Sequence, residues 1–136
     1  MFKESKKKYA IVRGAVSYEL VNFIFNYLML QRDATVHLYQ HKLIKDRGIN
    51  QPYGTWKDPQ APNTFSKYGD WVIETLLMKL LPVMCKITGL NLIPSYGYTR
   101  LYKKGDELVR HKDRNSCEIS YTLHLGGVPW KIFVDP

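Results

Sequence analysis

The sequence predicts an α+β fold: helices come first, short strands follow, and the strands form a β-sandwich or barrel supported by helices on one side. Three observations carry this. Apolar residues recur at helical spacing from Leu20 to Leu28 and again from Val72 to Ile87. From Asn91 onward the pattern switches to period two, with Cys117, Ile119, Tyr121, Leu123 and Leu125 alternating against Glu118, Ser120, Thr122 and His124. Between these regions, Gly48 to Ser66 is dense in Gly, Pro, Asn, Gln and Asp and reads as one long irregular segment.

Taken in order, Tyr9–Arg13 is a short strand candidate stopped by Gly14. Ser17 is placed to cap a helix through about Gln31, with Leu20, Phe23, Ile24, Tyr27 and Leu28 on its core face. Thr35–Tyr39 reads as another short strand, because Val36, Leu38 and Tyr39 argue against a long helix. His37 and His41 have the spacing of a helical metal pair, but on a strand that spacing is incidental. Trp56, in the irregular segment, is an anchor or a recognition residue. Asp70 opens a second helix with a Val72, Leu76, Leu80, Val83, Ile87 stripe. Pro82 is expected to kink or split it near Lys79–Leu81, and Gly89 to end it. Tyr96, Tyr98, Arg100 and Tyr102 then share one strand face, Lys103–Glu107 makes a turn, and Trp130–Val134 starts a last strand after Gly126-Gly127.

The chain has 136 residues, enough for a single domain (1–136) with its own core: helical support to about residue 90, β structure from about 91. A hydrophobic share of 45% and 13% aromatics predict a folded chain rather than a disordered one. No apolar run approaches the ~20 residues of a membrane span. The basic start, Met1 to Lys8, is followed by no signal-peptide core, so the expectation is a cytoplasmic protein. Cys85 and Cys117 stand far apart in apolar settings and read as buried free thiols. The net charge of +8 admits an anionic partner such as nucleic acid. The cations are scattered, however, except for Lys103, Lys104, Arg110, Lys112 and Arg114 around the segment that carries the chemistry.

That segment ends in His111-Lys112-Asp113. On a strand, residues two apart face the same way, so an imidazole and a carboxylate converge on one cation. They supply two of the three donors of the two-His-one-carboxylate set that holds non-haem Fe(II). Alone the tripeptide is common, and its ordinary reading is a solvated turn. The residues around it change its weight: Tyr68-Gly69-Asp70, Ile87-Thr88-Gly89-Leu90, Leu92-Ile93-Pro94-Ser95-Tyr96, Arg100-x-Tyr102-x-x-Gly105, Leu108-x-x-His111-x-Asp113-Arg114, Cys117-Glu118-Ile119-Ser120 and Pro129-Trp130. In this order, from about Tyr68 to Val134, they resemble the 2-oxoglutarate/Fe(II)-dependent dioxygenases of the prolyl-4-hydroxylase-like branch.

The resemblance implies an incomplete double-stranded β-helix, a jelly-roll variant, with N-terminal supporting helices. It implies a hydroxylase-like activity on Fe(II) that consumes 2-oxoglutarate and O2, with ascorbate as an accessory reductant. His111 and Asp113 would be metal ligands. Tyr102 would contact the cosubstrate, with Arg100, Ser120 and Thr122 as further cosubstrate-binding candidates. The family's distal histidine and the basic residue that clamps the cosubstrate come from a later strand. His124 lies too early for that role, and the chain ends at Pro136. The reading is therefore an N-terminal part, or a degenerate relative, with two of three protein ligands and doubtful activity on its own. The resemblance admits a protein side chain, a nucleobase or a small molecule as the primary substrate. The alternative is a non-catalytic basic binding module for nucleic acid. A metal-dependent hydrolase is weaker, since no further His/Asp/Glu cluster completes it.

Overall fold

In the computed structural model, residues 8–134 are described. The basic stretch from Met1 to Lys7, and the terminal Asp135 and Pro136, lie outside them. The order is α1 (Tyr18–Gln40), β1 (Phe65–Tyr68), α2 (Trp71–Thr88) and β2 (Tyr98–Leu101), a mixed α+β arrangement.

Ser17 caps α1 as its sequence position predicts, its hydroxyl accepting from Leu20 N at 3.3 Å. The helix does not stop at Gln31. It runs to Gln40, which overturns the strand expected at Thr35–Tyr39. Tertiary contacts explain the difference. Ile24, Leu28 and Thr35 form one buried stripe. The Thr35 hydroxyl reaches Gln31 O and Tyr53 O, each at 2.8 Å, and the Tyr39 ring packs edge-on against Trp56 at 5.6 Å. Strand propensity at Thr35 and Val36 is worth less than that buried face. A Schellman arrangement closes the helix: Leu43 N donates to Leu38 O at 2.9 Å and Lys42 N to Tyr39 O at 3.0 Å. Lys42 is left-handed, with φ 59°.

The irregular segment forms as expected up to β1 and is folded around carboxylates. Asp46 accepts from Gly48 N (2.9 Å), Thr55 Oγ1 (2.6 Å) and Trp56 N (3.2 Å). Trp56 is an anchor, lying 5.0 Å from the Phe65 ring. Gly54, at φ 99°, passes so close to Phe65 that a Cβ there would sit 2.5 Å from the ring.

Asp70 caps α2, accepting from Val72 N at 2.9 Å, and Gly89 ends it at φ 68°. Pro82 does not split the helix, which is continuous through Thr88. Leu76 and Leu80, one turn apart, are buried just before it and hold this face on the core. With Ile24, Leu28 and Ile73 they make the central apolar cluster, against which Leu101, Leu123 and Leu125 pack.

β1 and β2 pair antiparallel in the register Phe65↔Leu101, Ser66↔Arg100, Lys67↔Thr99 and Tyr68↔Tyr98. Among the described residues this is the sheet, extended by a Thr55↔Ser66 bridge. Tyr9–Arg13, Cys117–Leu125 and Trp130–Val134, expected as strands, join no ladder. The alternation at Cys117–Leu125 is nonetheless real: Cys117, Ile119, Leu123 and Leu125 are half-buried, while Glu118, Ser120, Thr122 and His124 are exposed. The apolar half faces inward, but no neighbouring strand meets its backbone.

Candidate metal and cosubstrate site

His111 and Asp113 follow a turn at Lys103–Asp106 and an anchor at Val109, whose N–H donates to Gln60 O at 2.7 Å. No strand carries them, yet their side chains converge. His111 Nε2 stands 3.6 Å from Asp113 Oδ1. His111 Nδ1 lies 2.7 Å from Val109 O, and the Ser120 hydroxyl donates to Asp113 Oδ2 at 2.6 Å. With Nδ1–H on the carbonyl, the free lone pair is on Nε2, the atom turned toward the carboxylate.

One nitrogen and one oxygen donor fit a divalent first-row metal. Neighbouring donors on an ion with bonds near 2.1 Å stand about 3 Å apart, so a small rotation of either group closes a bidentate grip. Among the described residues no third His, Cys, Asp or Glu joins them. His124 is exposed, and the residues around 111–113 are open to solvent.

The other candidates divide. Ser120 belongs to the His111 group through Asp113, whereas Thr122 is exposed. Tyr102 is half-buried and its ring meets Trp130 at a tilt of 59°, with centroids 4.0 Å apart. Burial pushes its phenol up, partly offset by the Arg100 charge, so it stays protonated at neutral pH. Arg100 is engaged. Its Nε lies 2.8 Å from Asp58 Oδ2 and its terminal nitrogen 2.7 Å from Gln60 Oε1, with its guanidinium over the Tyr98 ring.

Asp58, which sequence reasoning missed, is the centre of this second group. It is 3% exposed and also accepts from Tyr98 Oη at 3.0 Å and Ser66 Oγ at 3.2 Å. Burial and the facing carboxylate push the Tyr98 phenol up to about 12. Burial pushes the Asp58 carboxyl up, but Arg100, the Gln60 N–H and Tyr98 outweigh it and hold it below its ordinary value. Asp58-Pro59 reads locally as a turn, and nothing near it in sequence pairs it with an arginine on a later strand. Arg100 and Tyr98 did carry a signal, since they share one face of a strand.

The cationic rim is partly occupied. Lys103 Nζ is 2.5 Å from Asp106 Oδ1, and Arg114 lies over the Tyr96 and Tyr68 rings at 5.3 and 5.9 Å. Both cysteines are free and half-buried. No described helix is long and apolar enough to cross a membrane. No family model, curated protein or solved structure matches the chain.

Proposed function

We propose that this chain carries part of a 2-oxoglutarate/Fe(II)-dependent oxygenase centre, with His111 and Asp113 as its protein donors. The observation that carries the proposal is the approach of His111 Nε2 and Asp113 Oδ1 to 3.6 Å while Nδ1 is engaged by Val109 O. This is the arrangement a metal-binding imidazole needs: one nitrogen fixed by a carbonyl, the other aimed beside a carboxylate. Iron bound there with 2-oxoglutarate would supply oxygen activation coupled to decarboxylation of the cosubstrate.

The chain's own residues would do the rest. Val109 O holds the His111 tautomer, and Ser120 orients the Asp113 carboxylate while leaving Oδ1 for the metal. Tyr102, protonated at neutral pH, is a hydrogen-bond donor for a cosubstrate carboxylate. Arg100 would act mainly through its positive field, since Asp58 and Gln60 already take two of its donors. The facial set calls for a third donor, and with two the grip on iron is weak.

The test is anaerobic titration of the chain with Fe(II) and then 2-oxoglutarate, followed by exposure to oxygen. A visible charge-transfer band that needs both components, and succinate formed after oxygenation, are expected; both disappear in His111→Ala and in Asp113→Ala. A band or succinate yield unchanged by those substitutions overturns the proposal, as does the absence of both in the unmodified chain. The nucleic-acid reading has less support, because Arg32, Lys67, Arg100 and Lys103 are each paired with an aspartate of the same chain.

A further inference from the structure

The continuation of α1 past Gln31 changes the standing of His37 and His41. On a strand their spacing is incidental. On a helix it puts them one turn apart on one face. The backbone links the two residues directly, His41 N donating to His37 O at 3.1 Å. Their rings meet, with centroids 4.2 Å apart and planes inclined at 48°. Both side chains are exposed, and neither ring nitrogen makes a hydrogen bond to a described residue. The Schellman closure at Leu38, Tyr39, Lys42 and Leu43 holds the helix end, so His41 keeps its position relative to His37.

We propose that His37 and His41 form a two-point site for a borderline divalent cation of the Zn(II), Ni(II) or Cu(II) class, separate from His111 and Asp113. Two imidazoles select these ions over Mg(II) and Ca(II), which require oxygen donors. Metal–nitrogen bonds of about 2.0–2.1 Å require the two ligating nitrogens to be roughly 3 Å apart. Rings already in contact reach that by turning about their Cβ–Cγ bonds. The carbonyl end of a helix also carries partial negative charge, which favours a cation there. Asp33, one turn earlier, is not a third ligand: Arg32 holds its carboxylate at 2.6 Å. Water fills the remaining positions.

The experiment is a Zn(II) titration of the full 136-residue chain, read from the ring 15N resonances of each histidine by NMR. The His37 and His41 resonances are expected to move together with one shared saturation. His37→Gln and His41→Gln each weaken that response at least about ten-fold, while His111→Gln leaves it unchanged. Both substitutions fall on exposed positions, and unchanged helical circular dichroism verifies the fold. If His37 and His41 saturate independently, if neither substitution affects the other ring, or if His111 alone responds, the proposal is overturned. Because His111 is read in the same spectra, failure of the pair is distinguishable from failure of the oxygenase reading.

Discussion

Arg100, half-buried, forms an ion pair with the buried Asp58 across 42 positions of sequence, with Nε 2.8 Å from Oδ2 and side chains 17% and 3% exposed. The pair fastens the long segment to β2 and is surrounded by Tyr98, Ser66 and Gln60, so the carboxylate is satisfied on several sides. A buried charge whose partner is removed is costly. Arg100→Met is expected to destabilise the chain by about 3 kcal/mol, measured by urea denaturation, with Asp58→Asn–Arg100→Met recovering part of the loss. A loss under about 0.5 kcal/mol would mean that solvent reaches the carboxylate.

The carboxylates also set the acid limit. At Asp70, burial raises the carboxyl, but Gln31, Lys67 and Tyr27 together outweigh burial, and the net is a lowered pKa. Asp58 and Asp46 are lowered in the same way. A group depressed in the folded state contributes stability above its unfolded pKa and loses it as pH falls through the folded value. Unfolding free energy should therefore be flat near neutrality and fall below about pH 4. Asp70→Asn should be less stable at pH 7 and show a shallower acid slope. An acid slope as steep as that of the unmodified chain would remove Asp70 from this account.

Buried phenols set the alkaline limit, and Tyr27 and Tyr98 are raised furthest. Burial, then the Asp70 hydrogen bond and charge, push the Tyr27 phenol to about 12, and burial with Asp58 does the same to Tyr98. A raised group stabilises the fold fully below its unfolded pKa, here about 10, and the contribution is lost between there and about 12. Spectrophotometric tyrosine titration should show a late-ionising group of phenols that includes Tyr27 and Tyr98, together with loss of helix signal. Tyr27→Phe should remove one of them.

Lys42 holds a left-handed conformation, φ 59°, at the position after the α1 cap where glycine is favoured. Lys42→Gly should stabilise the chain by about 0.5–1 kcal/mol, the relief of strain exceeding the added freedom of the unfolded chain. Gly54 is the reverse case. Its φ of 99° and the Phe65 ring 2.5 Å from an added Cβ make Gly54→Ala destabilising by about 2 kcal/mol. Thermal denaturation distinguishes the two signs.

The Ser120 hydroxyl, 2.6 Å from Asp113 Oδ2, orients the carboxylate proposed to hold metal. Ser120→Ala should weaken Fe(II) or Mn(II) binding about ten-fold without altering thermal stability, whereas Ser120→Thr should restore it. Anaerobic calorimetry reads the affinity. Equal binding by Ser120→Ala would leave Asp113 oriented by something else.

Local chemistry made several features legible in advance. Ser17 and Asp70 cap the two helices, Gly89 ends the second, and Leu76 and Leu80 lie on its core face. Caps, stops and stripes depend on residues within one or two turns, so sequence carries them. His111 and Asp113 lie 3.6 Å apart although the strand expected to align them is absent; the Val109 carbonyl and Ser120 hold the two side chains instead.

What the sequence determined by itself was therefore the α+β character and the helix starts. The tertiary structure decided that α1 extends to Gln40, because Thr35 and Tyr39 find partners at Tyr53, Gly54 and Trp56. It decided that Arg100 belongs to Asp58, and that the apolar half of Cys117–Leu125 faces inward without a ladder. The physical reason is the same in each case. Hydrogen bonds, ion pairs and burial between residues many positions apart exceed local propensity, and no window of sequence contains both partners.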